Sequence, residues 1–185
     1  FGKSSPLEGS VDLDRMADFV AEFEKIIGVK KAIIFGSSMG GIVATKLAAR
    51  HPEAVKALFL QGVMTQQSDM DNMVYKAAQL STDPYLPFRY ILQIPGVAPK
   101  VFSFLARKSK DFKMSEKDAQ DAMIEGARVA HTKTALSTLR EIGQDIGEDI
   151  KEVQCPVVFI DGSAAAMVTL DKQKMAAQRF PEQTL

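Results

Sequence analysis

A turn of seven residues, Phe35-Gly36-Ser37-Ser38-Met39-Gly40-Gly41, narrows the architectures open to this chain to very few. Lys31 to Phe35, just before and into it, is an apolar run rich in Ile, bounded by glycine. That is the pattern of a buried parallel strand rather than an alternating, half-wet one. Ile42 to Arg50, just after it, is built of helix formers with small side chains, and Pro52 requires the helix to have ended. A serine at a sharp strand-to-helix turn is held in a strained backbone conformation, and the residues two before and two after it crowd together. Gly36 and Gly40 are expected to meet that need for small side chains around Ser38.

The flanking segments repeat the alternation. Leu13, Met16, Val20, Phe23 and Ile27 recur at steps of three and four, which predicts an amphipathic helix over 11–27. Ser10 is its expected N-cap, Asp12 and Asp14 suit the positive end of its dipole, and Gly28 stops it. Val55 to Leu60 reads as a second buried strand, and Pro156 opens a third at Val157 to Ile160. Leu170 to Arg179 follows as a helix ended by Pro181. Helix, strand, helix, strand is the repeat of an α/β fold, a parallel sheet covered by helices.

About ninety residues without strand patterning separate the second and third strands, too many for a loop in a compact domain. They are expected to form an inserted, mostly helical cap over 66–150, between core segments 1–65 and 151–185. Ser115 with Asp118 resembles a capping box, Leu136, Leu139 and Ile142 have helical spacing, and Pro84, Pro87, Pro95 and Pro99 break the first half into short pieces.

Charge excludes several classes of partner. Lys plus Arg and Asp plus Glu both number 23, so no net field draws the chain to nucleic acid or an anionic membrane, and small neutral partners are favoured. The basic run Arg107, Lys108 and Lys110 reads as a solvated face. A single cysteine, Cys155, excludes an internal disulfide, and with only His51 and His131 beside it the usual zinc clusters cannot be built. No apolar run reaches the roughly 18 residues of a membrane span, and no signal pattern opens the chain. Because it begins at Phe1 rather than Met, it reads as an excerpt, with a cytoplasmic place as the expectation.

The turn also serves chemistry. It pushes the Ser38 hydroxyl out above the sheet, while the following helix points free backbone N–H groups at the same place. Ser38 is therefore the candidate nucleophile and the Met39 N–H a candidate oxyanion-hole donor, a pairing suited to acyl transfer without a cofactor. Ser37 lacks glycines at the required distance on both sides. A phosphate cradle is excluded, since neither G-x-x-x-x-G-K-[ST] nor G-x-G-x-x-G fits these glycines. The bland alternative is a tight connection with chance serines.

Taken in order, several segments resemble the capped α/β-hydrolase family of esterases, haloperoxidase-like enzymes and carbon–carbon-bond hydrolases. Phe1-Gly2-Lys3-Ser4-Ser5 is similar to the segment after the family's fourth strand, and Gly36 to Gly41 to its nucleophile elbow. His51-Pro52-Glu53 with Val55 to Leu60 resembles its sixth strand, and Cys155 to Gly162 its seventh. The resemblance implies that a catalytic histidine lies beyond Leu185 and that the loop giving a second oxyanion donor precedes Phe1. His51 then reads as a surface or capping residue and His131 as a residue of the cap. It also implies an acid three residues after Gly162, where the chain has Ala165. Asp161 and Asp171 are nearby carboxylates without that position, and Asp69 or Asp71 would serve only if the acid followed the sixth strand. Restoring Ala165→Asp is expected to raise ester turnover strongly.

Met64, Met70, Met73, Phe88, Tyr90, Phe102, Phe104 and Met114 could roof an apolar acyl pocket or simply pack short helices together. Two functions stay open. One is a serine hydrolase for an apolar ester or acyl substrate; the other is a catalytically silent binding protein of the same fold, motivated by Ala165 and the unseen histidine.

Overall fold

The computed structural model describes residues 12–66, 69, 97, 100, 141–142, 144–162 and 168–181. The chain divides into two compact units, Phe1–Val11 with Met73–Arg140, and Asp12–Asn72 with Glu141–Leu185. The second carries every element discussed below. Between 70 and 140 only Val97 and Lys100, both helical, are described, so of the features read for the inserted segment all but Ile142 lie outside the described residues.

Helix α1 (Leu13–Ile26) begins where Asp12, in extended backbone, accepts the Arg15 N–H at 2.7 Å. The N-cap is thus Asp12 rather than the expected Ser10, because the aspartate is the residue whose side chain reaches an orphan amide of the first turn. Gly28, at φ +77°, ends the helix as expected, its N–H bonded to the Lys25 carbonyl.

Strands β1 (Ala32–Ser37), β2 (Val55–Gln61) and β3 (Val157–Phe159) form a parallel sheet in the order β1-β2-β3. Helix α2 (Met39–Arg50) crosses from β1 to β2, the short α3 (Gly147–Glu152) precedes β3, and α4 (Leu170–Ala177) follows it. Leu13, Ile42, Leu47, Leu58, Leu60, Ile146, Ile150 and Val157 make the centre of the core. Each such side chain, once removed from water, contributes roughly 2 kcal/mol.

Two burial expectations are corrected. In α1 the buried stripe is Leu13, Ala17, Ala21 and Glu24, while Phe23 and Ile27 stay about half exposed. Leu13 and the small Ala17 and Ala21 are buried in the core, Met16 and Val20 pack against it, and the far end of the expected stripe turns outward. In β1 the pattern alternates: Ile34 packs against the core, whereas Ile33 and Phe35 are 58% and 61% exposed. Successive strand side chains point to opposite faces, and α2, which packs on β1, covers one of them.

Polar ties fix the helices on one another. The Lys46 ammonium, nearly buried, sits 2.8 Å from Asp14 and 2.9 Å from Asp149, joining α2 to α1 and α3. Burial alone would push its pKa down, but the two carboxylates outweigh that and hold it above the ordinary lysine value. At the other end of α2, Arg50 donates two hydrogen bonds to Asp18, at 2.7 and 3.0 Å, and the His51 ring lies 2.8 Å from the same carboxylate.

Candidate active site

Ser38 stands between the last residue of β1 and the first of α2, with φ 51° and ψ −122°. It is the one non-glycine residue at positive φ among the described residues. Such a conformation costs about 1–3 kcal/mol and persists only where the surroundings over-determine it. Here they do: the Ser38 N–H donates to the Gln61 carbonyl at 2.8 Å, and the Ser38 carbonyl accepts from Gly41 at 2.9 Å. The hydroxyl-bearing residue is partly exposed.

Glycine makes this turn possible, though not quite where the spacing suggested. A Cβ at Gly36 would stand 2.7 Å from the Gly40 carbonyl oxygen and 2.7 Å from the Gly41 Cα. A Cβ at Gly41 would collide with the Val63 side chain, whereas one at Gly40 would meet nothing within 4 Å. The crowding expected at Gly36 and Gly40 therefore falls at Gly36 and Gly41. Gly40 lends its backbone to the contact, while its own Cα faces open space.

As the first residue of α2, Met39 has no intrahelical acceptor for its N–H, and Gly40 shares that condition. These amides lie at the positive end of a 12-residue helix, beside Ser38. The register carries the same tier across the sheet. Ser37 pairs with Gln61, and Leu60 with Phe159, so Ser38, Gly62 and Asp161 occupy equivalent places at the carboxyl ends of β1, β2 and β3. One Asp161 carboxylate oxygen is sealed from solvent without a hydrogen-bond partner. Burial raises its pKa above the ordinary aspartate value, against the opposing pull of the Gly62 N–H.

Asp69, one candidate acid, is engaged elsewhere. It is almost fully buried and accepts from the Thr65 N–H at 2.9 Å, the Thr65 hydroxyl at 2.8 Å and the Gln66 N–H at 3.1 Å. Arg179 spans both its oxygens, at 2.8 and 3.3 Å, and also contacts the Thr65 hydroxyl. Burial works to raise its pKa, yet the Arg179 and Thr65 hydrogen bonds outweigh it and hold the carboxyl below its ordinary value. Together with the Gln173 amide on the Val63 carbonyl, at 3.0 Å, this network fastens the segment leaving β2 to α4. Sequence reading missed it, since Thr65 and Arg179 lie far apart along the chain and no local spacing links them.

His51 caps the end of α2 away from Ser38, roughly 18 Å along the helix axis at 1.5 Å per residue. Asp171 is an exposed residue in the first turn of α4. Met64 is buried. His131, Asp71, Ala165 and the other proposed roof residues lie outside the described residues. Among the described residues no helix is long and apolar enough to cross a membrane, and no group of three or more His, Cys, Asp or Glu could hold a metal ion.

Residues 1–136 match the family model described as the alpha/beta hydrolase fold. The chain belongs to that family. Among solved α/β-hydrolase relatives, a bromoperoxidase from Bacillus anthracis superposes with a TM-score of 0.78 at 13% identity, covering 100% of this chain and 68% of the relative. A thermophilic esterase from Thermogutta terrifontis superposes with a TM-score of 0.72 at 18% identity, covering 100% and 66%. At the level of sequence, 65 residues are 37% identical to the proline iminopeptidase of Neisseria gonorrhoeae, covering 34% of this chain and 21% of that one. The chain thus spans about two thirds of the length of the solved α/β-hydrolases it resembles.

Proposed function

We propose that this chain is the nucleophile-bearing part of a serine hydrolase acting on an apolar ester or acyl substrate. The observation that carries the reading is Ser38 at φ 51° between β1 and α2, a strained position held by the Gln61 and Gly41 backbone and by the glycine packing at Gly36. Strain of this kind clusters at functional sites because it fixes a reacting group in advance.

In the proposed step the Ser38 oxygen attacks the carbonyl carbon, a C–O bond forms, and the hydroxyl proton passes to a histidine outside the described residues. The carbonyl oxygen takes up negative charge and receives the Met39 N–H, a donor worth about 2–4 kcal/mol in the transition state. Collapse of the tetrahedral species breaks the bond to the leaving oxygen, which takes the proton from the histidine. Water then repeats the sequence and frees the acid and Ser38. No cofactor is called for. The apolar substrate class rests on the Met and aromatic content of the segment between β2 and α3.

The test is turnover of p-nitrophenyl esters of increasing acyl length by the complete protein. Ser38→Ala is expected to lower kcat/KM by at least about a thousandfold, and Ser37→Ala to leave it within about tenfold. Equal activity of parent and Ser38→Ala would remove the assignment.

A further inference from the structure

Gln173 is a polar side chain shut into the core, 2% exposed. It projects from α4, and three and seven residues on, Ala176 and Phe180 are buried too. The Phe180 ring meets Phe159 of β3 edge-on, with centroids 5.3 Å apart, so this part of the chain is seated on the sheet. One end of the Gln173 amide is engaged, Nε2 donating to the Val63 carbonyl at 3.0 Å. The other, Oε1, is sealed from solvent without a hydrogen-bond partner. A methionine would fill the same length without stranding an acceptor, so packing alone does not account for an amide here.

The residue it holds lies two positions past the end of β2. Between them is Gly62, at φ +58° and with open space where a Cβ would stand. Glycine at positive φ is the least restricted joint in a backbone, so the strand does not by itself fix where Val63 lies. Yet Val63 is fully buried, and its side chain fills the space beside Gly41, where a Cβ would collide with it. Gly41 in turn donates its N–H to the Ser38 carbonyl at 2.9 Å, and Gln61, on the other side of the joint, accepts the Ser38 N–H at 2.8 Å. The two backbone bonds that keep Ser38 at φ 51° therefore end on residues that touch or flank this joint.

We infer that Gln173 is a positioning residue of the hydrolase, its hydrogen bond to Val63 bracing the turn that aligns Ser38. The inference rests on the Ser38 reading. Gln173 acts through Val63 and Gly41, not on the reacting atoms. Because a shift of about 1 Å at a reacting group costs on the order of a hundredfold in rate, a brace of this kind is read in kcat.

The test compares Gln173→Met, Gln173→Asn, Val63→Ala and the double variant Gln173→Met with Val63→Ala in the complete protein. The readouts are ester kcat and KM, the rate of fluorophosphonate labelling at Ser38, and Tm. Gln173→Met, which keeps the length and loses the donor, is expected to lower kcat and the labelling rate together by about 10- to 100-fold, with KM within about threefold. Gln173→Asn, one methylene short of the carbonyl, lowers both in the same sense. The double variant loses no more than about threefold beyond the larger single loss, since both substitutions release the same contact. Asp69→Asn serves as control, because it loosens the same segment farther from the turn; it lowers Tm and leaves kcat within about threefold. A merely structural role for Gln173 would give equal kcat losses in Gln173→Met and Asp69→Asn at equal loss of Tm, which overturns the inference. Parental kcat in both Gln173 variants, or single losses that multiply in the double variant, overturns it as well. Ser38→Ala, run alongside, separates the two readings. Unchanged activity there sinks the nucleophile assignment and this inference with it, whereas a dead Ser38→Ala with a fully active Gln173→Met sinks only the role of Gln173.

Discussion

At the scale of single residues, the turn is decided by where a Cβ has room. Gly36 has none, because the backbone of Gly40 and Gly41 fills the space its side chain would need, and Gly41 has none because Val63 does. Gly36→Ala and Gly41→Ala are therefore expected to destabilise by about 1–3 kcal/mol or more, as overpacked sites do. Gly40→Ala, in open space and in a helix, is expected to be neutral or to add up to about 1 kcal/mol. Urea melts of the three variants check this order, and an equal loss at all three would contradict the packing described. The spacing G-x-S-x-G marked the turn correctly but could not distinguish Gly40 from Gly41. Which of two adjacent glycines meets a neighbour depends on a side chain, Val63, that arrives from the end of another strand.

At the scale of elements, the helices and strands were legible and their faces less so. Apolar runs bounded by Gly and Pro located α2, β2, β3 and α4 to within a few residues, because chain breakers and hydrophobic period act locally. Burial is not local. The large residues of α1 suggested a face through Phe23 and Ile27, yet these two are about half exposed while Leu13, Ala17 and Ala21 are buried, with Met16 and Val20 packed beside them. Ala17→Leu or Ala21→Leu should therefore cost about 1–3 kcal/mol by overpacking, while Phe23→Ser should change stability by less than about 0.5 kcal/mol. Thermal unfolding distinguishes the two cases, and a Phe23→Ser loss as large as that of Ala21→Leu would restore the face read from sequence.

At the scale of the whole molecule, long-range polar ties join segments that sequence spacing could not pair. Asp69 and Arg179 hold the segment after β2 against α4, and Lys46 holds α2 between Asp14 and Asp149. The Asp69 tie has a pH signature. Its carboxyl is held below the ordinary value of 3.8, so its contribution is complete above that value and is lost as pH falls through the lower folded pKa. Asp18, held at about 2 by Arg50 and His51, acts in the same sense, but its exposure screens the effect. Asp69→Asn is expected to cost about 2–3 kcal/mol at pH 7, chiefly by leaving Arg179 unpaired, and progressively less below pH 3.8. A pH-independent cost would show that packing, rather than charge, makes this tie.

A serine hydrolase of this kind needs Ser38 to be a reachable, activated hydroxyl, and covalent labelling of the complete folded protein by a fluorophosphonate probe measures that directly. A single adduct is expected on the peptide carrying Ser38, abolished by Ser38→Ala and retained by Ser37→Ala. A folded sample that takes up no probe would point instead to a silent binding protein. Labelling that persists in Ser38→Ala would place the nucleophile elsewhere.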